Sequence, residues 1–244
     1  MSRKPWFRDW FGSEYLDLYS HRDRAEARRA VALLREATGL GAGARVLDVG
    51  CGPGRHLGEL LGIGCRATGL DLSRHMTEAA RAAVPGALLV RADMRSLPFR
   101  SGCFDAVTSY FTSFAYFDDK DDDLSVLSEV RRVLKSGGWY LLDFLNADEV
   151  VANLRKKDRR TVSGLEVVQE RRLAEGGRVI EKRIGIGAGG RAPPREFVER
   201  VRLYRPGDLE SMLLRTGLSP GPVFGGYDRS PHTPASPRYI VLAR

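Results

Sequence analysis

The segment 46–55, Val-Leu-Asp-Val-Gly-Cys-Gly-Pro-Gly-Arg, contains the residue types from which a site for a nucleotide-like ligand can be built. A short apolar run carries Asp48 and leads into glycines at positions 50, 52 and 54, after which helix-like spacing begins. Glycine has no Cβ, so the backbone of such a turn can come close to a ligand, and the N–H groups of the following helix can bind it. The segment therefore predicts a strand, a tight turn and a helix N-terminus arranged around a ligand. A glycine-rich turn that only closes a βα unit is the alternative.

Further polar and aromatic side chains follow the other apolar runs. Asp71 ends the second run, 23 residues after Asp48, where an open α/β sheet places a carboxylate that can take both hydroxyls of a ribose. Asp93 follows the third run, and the segments 110–114 and 143–146 follow the fourth and fifth. Because ligands of parallel sheets bind at the carboxyl ends of the strands, we expect these side chains to surround one site. For Asp71 alone, a turn or capping role is the alternative.

Apolar runs alternate with segments of helical periodicity through most of the chain. We predict strands at 44–49, 66–71, 87–90, 104–110, 139–144, 218–224 and 239–242, and helices at 13–38, 54–63, 73–83, 118–134 and 206–215. Strands that alternate with helices at this spacing imply parallel βαβ units with right-handed crossovers. The predicted fold class is therefore α/β, with a doubly wound and mostly parallel sheet. The acidic run at 118–123 is interpreted as the N-terminus of a helix, not as a metal site.

Residues 151–205 interrupt the alternation. After a helix that we predict to end near Lys157, the segments 161–162, 165–170, 178–184 and 196–204 alternate with period two, and glycines separate most of them. This pattern predicts antiparallel hairpins, which would form a β-layer inserted between residues 1–150 and 206–244 of one domain. At the start of the chain, the aromatic and basic residues 6–11 predict either a lid over a pocket or a terminal helix that covers the sheet.

Composition is typical of an intracellular globular protein. The chain has 244 residues, of which 43% are hydrophobic, enough to bury one large core. No window is apolar enough to span a bilayer, and no apolar stretch follows the basic N-terminus as it would in a secretory signal. The three cysteines and four histidines lack metal-ligand spacing. We therefore predict reduced thiols, a cytoplasmic location, no membrane partner and no metal site.

Residues 44–144 resemble a class I methyltransferase that depends on S-adenosyl-L-methionine (SAM). The segments that carry the resemblance are, in order, 47–54 (LDVGCGPG), 69–73 (GLDLS), 92–94 (ADM), 97–99 (LPF), 104–107 (FDAV) and 134–138 (LKSGG). The segments 110–117 and 143–146 and the β-insert are similar to a bacterial subgroup assigned to small-molecule acceptors. Arg55 stands where a dinucleotide fingerprint has its third glycine, which argues against an NAD-linked oxidoreductase, the main alternative enzyme.

The resemblance implies a cofactor, a topology and a set of binding residues. The cofactor is SAM, and the sheet order is 3-2-1-4-5-7-6 with an antiparallel last strand. Asp48 and the glycine turn would face the methionine part of SAM, while Asp71 would hold the ribose hydroxyls. Asp93 would accept from the adenine amino group, with Met94 on the ring. The full set of implied cofactor-binding residues is Asp48, Gly50, Cys51, Gly52, Gly54, Asp71, Leu72, Asp93, Met94 and Tyr110.

The expected chemistry is an in-line displacement, which depends on positioning and exclusion of water more than on covalent help. Tyr110 and Phe111 would lie beside the transferring methyl group, and residues 110–114 are expected to line the acceptor pocket. Tyr15 or Tyr19 is expected to close the site from the N-terminal helix. No Ser/His/Asp arrangement and no activated cysteine is evident in the sequence.

A general base is needed only if the acceptor must lose a proton, because an amine that arrives neutral requires none. The candidate catalytic residues are Tyr110, Phe111, His21, Asp143 and Glu170.

The surplus of positive charge lies in the insert. Residues 151–205 carry 15 basic and 7 acidic side chains, which accounts for the net charge of +8. In one interpretation the layer presents arginines to an anionic acceptor or to RNA. In the other, the charges are solvated strand faces, and acids at 166, 170, 181, 196 and 199 pair with them across the ladder. The arginines concerned are Arg171, Arg172, Arg183, Arg200, Arg202 and, from the last strand, Arg238.

From these observations we expect the insert to roof the acceptor pocket and to select a small molecule, for example one with a carboxylate or phosphate. The interleaved acids and the scarcity of stacking aromatics disfavour nucleic acid. The predicted function is thus SAM-dependent methylation of a small molecule. An RNA or protein methyltransferase, or a protein that binds SAM without catalysis, is the alternative.

Overall fold

Two β-sheets organise the chain. The computed structural model describes residues 5–19, 24–187 and 194–244. Its strands are β1 (Arg45–Val49), β2 (Arg66–Asp71), β3 (Leu88–Arg91), β4 (Phe104–Ser109), β5 (Leu134–Leu145), β6 (Lys157–Val162), β7 (Leu165–Ala174), β8 (Val179–Gly187), β9 (Arg195–Arg202), β10 (Pro220–Phe224) and β11 (Arg238–Ala243). Its helices are α1 (Phe7–Trp10), α2 (Ser13–Leu18), α3 (Arg24–Thr38), α4 (Arg55–Gly62), α5 (Arg74–Ala83), α6 (Lys120–Val133), α7 (Ala147–Ala152) and α8 (Pro206–Arg215).

The central sheet has seven strands in the order β10-β11-β5-β4-β1-β2-β3. The pairings among β1 to β5 are parallel, and β11 runs antiparallel to both of its neighbours, β5 and β10. Since β10 and β11 are the sixth and seventh strands of this sheet, the predicted order 3-2-1-4-5-7-6 and the α/β fold class are confirmed. Strand β1 is buried from its second residue onward, as expected for a parallel strand covered on both faces.

Local sequence signals account for several helix starts. The Ser73 hydroxyl accepts from the backbone N–H of Met76 (3.3 Å) and begins α5. Asp119 accepts from the N–H of Asp121 (2.9 Å) at the start of α6, and the acids that follow lie in its first turn. There they complement the helix dipole, as predicted for the acidic run.

Several predicted boundaries differ from the structure. The predicted helix at 13–38 is not continuous, because Tyr19 leaves helical geometry (φ −112°, ψ 21°) and ends α2. The helix after Asn146 stops at Ala152, so Lys157 begins a strand instead of ending a helix. The fifth strand, predicted at 139–144, already begins at Leu134, and the pairing of β5 with β4 shifts register in this added part.

The second sheet is antiparallel, with the order β6-β7-β8-β9. It falls within the predicted insert, and it confirms the inserted β-layer. One of its faces packs on the N-terminal helices, where Val167, Ile184 and Ile186 share an apolar cluster with Trp10 and Leu18. The division of the chain into a domain at 1–150 and 206–244 and a subdomain at 151–205 stays a prediction. None of the helices in the described part of the chain combines the length and apolar character that a membrane crossing requires.

Candidate functional site

A cavity of about 290 Å³ lies where β1, β2, β3 and β4 end. Most of the residues that the sequence assigned to a ligand site line it, as expected from the convergence of carboxyl strand ends. These are Gly50, Cys51, Gly52, Asp71, Leu72, Asp93, Met94, Tyr110 and Phe111. Asp48, Gly54 and Asp143 are not among the lining residues.

The glycine turn between β1 and α4 has the close-approach geometry that its sequence predicted. Gly50, Gly52 and Gly54 all have positive φ, at +69°, +53° and +84°. A Cβ on Gly50 would lie 2.6 Å from the Cβ of Ser113, so only glycine fits there. At Gly54 a Cβ would instead press on Ala80 and Val84 (3.2 Å), which are part of or next to α5. Gly54 therefore serves helix packing, and the other two glycines border the cavity.

Asp71 joins the glycine turn to the second strand end. Its carboxylate accepts from the backbone N–H of Gly52 and of Ser73, both at 2.9 Å. Burial raises the pKa of Asp71, although these backbone donors oppose the rise. The carboxylate lines the cavity in a fixed orientation, and its remaining lone pairs suit hydroxyl donors of a ligand.

Asp93 and Met94 reach the cavity from the end of β3. The Arg95 guanidinium donates to both oxygens of Asp93, at 2.7 and 3.1 Å, and this contact lowers the pKa of the carboxyl group. Arg95 also binds Asp122 (2.9 Å) at the N-terminus of α6. Asp93 is thus an ionised acceptor whose position is fixed by a neighbouring cation.

Asp48 lies beneath the turn, 1% exposed. Its Oδ1 accepts from the Thr108 hydroxyl (3.1 Å), and its Oδ2 has no hydrogen-bond partner among the residues that the structure describes. Burial raises the pKa of Asp48 to about 7. The Asp48 side chain therefore lies below the glycine turn, and its carboxyl group titrates near neutrality.

The raised pKa of Asp48 predicts a pH-dependent stability of the ligand-free protein. A carboxyl group that binds its proton more tightly in the folded state stabilises that state below its unfolded pKa of about 4, and this stabilisation is lost as the pH rises through about 7. We expect the free energy of unfolding of Asp48→Asn to rise relative to that of the wild type as the pH increases from 4 to 8, by on the order of 2–4 kcal/mol in all. Urea unfolding at several pH values measures the effect. Asp123→Asn is measured in the same way for comparison, because it removes a second buried acid whose pKa is raised to about 7. A pH-independent difference between Asp48→Asn and the wild type would contradict the assignment.

The segment after β4 folds back onto the glycine turn. Phe111 and Thr112 have φ of +53° and +65°, a backbone conformation that residues other than glycine rarely adopt. The Ser113 hydroxyl donates to the carbonyl of Gly50 at 3.0 Å. Of the predicted segment 110–114, Tyr110, Phe111 and Ser113 line the cavity, whereas Thr112 does not and Phe114 is buried in the core. The hydrogen bond of Ser113 links the two turns directly.

The N-terminal helices form another part of the cavity wall. Phe7, Phe11, Tyr15, Leu16 and Tyr19 all line it. This segment is fixed at two places, since the Ser73 hydroxyl donates to the Phe11 carbonyl (2.6 Å) and the Trp6 indole donates to the Tyr116 carbonyl (3.2 Å). Of the two interpretations of residues 6–11, a pocket cover is the one that this geometry supports.

The second sheet lies behind these helices, and none of its described residues lines the cavity. The Trp10 ring packs on Phe197 (4.7 Å between centroids), and its indole donates to Glu199. Lys182 pairs with Glu199 and donates to the Tyr19 hydroxyl at 2.7 Å. The expectation that the insert roofs the pocket is therefore wrong for the described residues, because α1 and α2 intervene.

The charges of the second sheet are largely paired. Across the strands, Glu170 binds Lys157 (2.6 Å) and Glu166 binds Arg159 (3.0 Å). The arginines singled out in the sequence have partners as well: Arg171 with Asp158, Arg172 and Arg183 with Glu181, Arg200 with Glu175 and Glu181, and Arg202 with Glu175. Paired strand faces account for this pattern without an anionic ligand.

The structure separates the candidate bases. Glu170 is in the second sheet, where its pairing with Lys157 lowers its pKa. Asp143 is fully buried behind Phe111 and binds Arg238, so it has no direct access to the cavity. Burial raises the pKa of Tyr110 well above its usual value, so its hydroxyl stays protonated. His21 lies outside the described residues.

Several cavity-lining residues were not predicted as site residues, and two of them stand out. Arg55 and His56 begin α4 and line the cavity. The His56 ring stacks on Tyr110 at 4.1 Å, and the Arg55 guanidinium lies 5.7 Å from the Phe111 ring. Their position directly after the third glycine was the available signal, because a side chain in the first turn of that helix is close to a ligand held by the turn.

Comparisons with known proteins relate the central part of the chain to methyltransferases. Residues 47–142 match a family model described as a methyltransferase domain. The dTDP-3-amino-3,4,6-trideoxy-alpha-D-glucopyranose N,N-dimethyltransferase of Streptomyces venezuelae is 32% identical over 146 residues, which cover 57% of this chain and 60% of that protein. The chain spans about half the length of the curated relatives it matches.

Solved structures match over almost the whole chain. The CcbJ methyltransferase from Streptomyces caelestis superposes with a TM-score of 0.79 at 21% identity, covering 96% of this chain and 97% of that one, and shows the shared fold. The sugar N-methyltransferase KedS8 from Streptoalloteichus sp ATCC 53650 superposes with a TM-score of 0.71 at 26% identity, covering 95% and 92%.

Fold and cavity together define a Rossmann-like α/β protein with a ligand site at the carboxyl ends of its strands. Residues 47–142 form a methyltransferase domain, which confirms the resemblance of residues 44–144 to methyltransferases.

Proposed function

We propose that this protein transfers a methyl group from SAM to a small-molecule acceptor. The observation that carries the proposal is the composition of the cavity. The glycine turn, Asp71 and Asp93 provide acceptors and backbone for a cofactor on the β1–β3 side. The N-terminal segment 7–19 and the segment after β4 contribute mostly aromatic residues to the lining, and Arg55, His56 and Met76 reach it from α4 and α5. Such a cavity can hold a polar cofactor beside an acceptor and keep water out.

The residues present fit SAM. Gly50 and Gly52 keep the cradle free of side chains, and a Cβ at Gly50 would fill it against Ser113. We assign the ribose hydroxyls to Asp71, the adenine amino group to Asp93 with Met94 on the ring, and the methionine part to the turn. Bound SAM would supply an activated methyl group on a cationic sulfur. The aromatic residues would then orient the acceptor and exclude water, and Tyr110 and Phe111 would border the reacting groups.

The described residues provide no ready base among the predicted candidates, because Asp143 is engaged by Arg238 and Glu170 is remote. This arrangement suits an acceptor that arrives with a free lone pair, such as a neutral amine. One relative named above is an N,N-dimethyltransferase of a dTDP-linked amino sugar and one structural neighbour is a sugar N-methyltransferase, and these two names support an amine on a small polar molecule as the acceptor.

Incubation with methyl-labelled SAM tests the proposal. Labelling is followed in three fractions of a cell extract, namely small molecules, protein and RNA, and with a panel of amino sugars and their nucleotide conjugates. We expect label in the small-molecule fraction. Label in RNA, together with RNA binding that weakens steeply with salt, would indicate an RNA methyltransferase instead. Binding of SAM with no transfer to any fraction would indicate a binding protein.

Phe111→Ala should lower turnover more than cofactor affinity. The ring borders the cavity beside Arg55, whereas the cofactor acceptors Asp71 and Asp93 lie on other strands. We expect kcat to fall by about tenfold or more, with a change in SAM affinity of less than about threefold. Phe99→Ala is the matched control, because Phe99 is also half-buried and packs on Phe104 (5.1 Å) away from the cavity. Equal losses of turnover and affinity in Phe111→Ala would indicate a packing role.

A further inference from the structure

Asp143 is a fully buried acid that the proposed reaction does not use. It lies in β5 next to the segment that follows β4. Its Oδ2 accepts from the backbone N–H of Phe111 (2.9 Å) and from the Tyr227 hydroxyl, and its Oδ1 accepts from Nε of Arg238. Its own carbonyl accepts from the N–H of Thr112 at 3.0 Å. One residue thus holds two successive amides of the turn at the pocket.

Those two amides belong to the strained part of the turn. Phe111 and Thr112 both have positive φ, a strained conformation that persists only where surrounding contacts offset its cost. Ser113, the next residue, donates to Gly50. The contacts of Asp143 therefore act on the position of Phe111, on Ser113 and, through Ser113, on the glycine turn.

Arg238 completes the arrangement from the first position of β11. Its side chain is 15% exposed, and its guanidinium carbon lies 4.7 Å from the centre of the Phe111 ring and 5.6 Å from that of Tyr227. Burial would lower the pKa of Arg238, but Asp143 outweighs this and the pKa is raised, so the guanidinium keeps its charge beside the Asp143 carboxyl group. A buried ion pair adds little net stability in general, so its presence at this turn calls for another explanation.

We propose that Asp143, Arg238 and Tyr227 are positioning residues for methyl transfer, which hold residues 110–113 against the glycine turn. None of the three lines the cavity, so they act through Phe111 and Ser113 and not on a ligand. The inference rests on the proposed function, since it assigns these residues to the same site. It replaces the roles of base for Asp143 and acceptor contact for Arg238 that the sequence suggested.

The test uses Arg238→Met, which removes the charge and keeps the length of the side chain. Amide hydrogen exchange followed by NMR reports on the turn, and calorimetry with S-adenosylhomocysteine, the demethylated product, reports on the site. We expect exchange at Phe111 and Thr112 to quicken about tenfold or more, while Val107 and Thr108 in β4 are unchanged. Affinity for S-adenosylhomocysteine should fall about tenfold, and Arg238→Lys should recover most of it.

Arg244→Met is the matched control. Arg244 follows the other end of β11, and its guanidinium carbon lies 3.8 Å from the Trp139 ring, so this variant also loses an arginine stacked on an aromatic ring. If Arg238→Met does not fold, Tyr227→Phe removes only a hydroxyl and should shift exchange at the same two amides by about threefold.

Neither measurement needs an acceptor, so absence of methyl transfer in the wild type would count against the proposed function alone. The positioning role is overturned if affinity for S-adenosylhomocysteine is unchanged, or if exchange quickens equally along β4 or in Arg244→Met.

Discussion

Asp71→Ala should weaken binding of SAM and of S-adenosylhomocysteine by at least about 30-fold, because a carboxylate that accepts from two hydroxyls contributes about 1 kcal/mol or more per bond. The structure adds a second reason for a large effect. Without the carboxylate, the backbone N–H groups of Gly52 and Ser73 lose their acceptor, and the glycine turn is no longer joined to β2. Calorimetry with either ligand measures the loss.

Two further variants make the Asp71 result specific. Asp71→Asn keeps one carbonyl oxygen as an acceptor, so its affinity should lie between those of the wild type and the alanine variant. Glu78→Ala removes an exposed acid from the neighbouring helix, where it pairs with Arg74, and should leave binding unchanged. Binding of NAD without binding of SAM, or an alanine variant within threefold of the wild type, would contradict the assignment of Asp71 to the ribose.

Gly50→Ala should destabilise the protein more than Gly52→Ala, although the two glycines have similar backbone angles. At Gly52 an added Cβ meets no atom within 4 Å, so only the cost of positive φ applies, about 1–2 kcal/mol. At Gly50 the added Cβ would lie 2.6 Å from the Cβ of Ser113, and the total cost should reach about 3 kcal/mol or more. Urea unfolding of both variants measures the difference.

A double variant isolates the steric part. Ser113→Gly removes the two atoms closest to the added Cβ, at 2.6 and 2.9 Å, and leaves the Ser113 Cα at 3.8 Å. Gly50→Ala combined with Ser113→Gly should therefore be less destabilised than the sum of the single variants, by about 1 kcal/mol or more. Strict additivity would mean that the contact between the two turns does not limit residue 50.

Much of the site could be predicted because it depends on the order of strands along the chain. Alternating strands and helices with short connections leave few topologies, and parallel strands bring their carboxyl ends to one edge. Asp71, Asp93 and Phe111 therefore meet at one cavity, as expected from their positions after successive strands. The hydrophobic pattern of each strand is local in the sequence, and the right-handed crossovers between the strands determine how they are arranged.

The second sheet could not be placed in this way. The composition of residues 151–205 gives their net charge, but it does not determine which basic side chain lies opposite which acid. Register decides that Lys157 stands opposite Glu170 and Arg172 opposite Glu181, and both form ion pairs within a segment that keeps a net charge of +8. The N-terminal helices also return over the pocket, a long-range contact that periodicity within the segment does not encode.

By itself, the sequence determined the α/β class, the order of the central strands, the methyltransferase domain and many of the residues that line the cavity, because these follow from local periodicity, turn chemistry and a set of short characteristic segments. Only the tertiary structure decided the remainder. Gly50 and Gly54 belong to the same glycine turn, and both have positive φ. Gly50 nevertheless faces Ser113 and Gly54 faces α5, because their packing partners come from other parts of the chain. Asp143 follows the same rule as Asp71 in the sequence, but its neighbour in the sheet is β11, which brings Arg238 to its carboxylate and closes it off from the cavity.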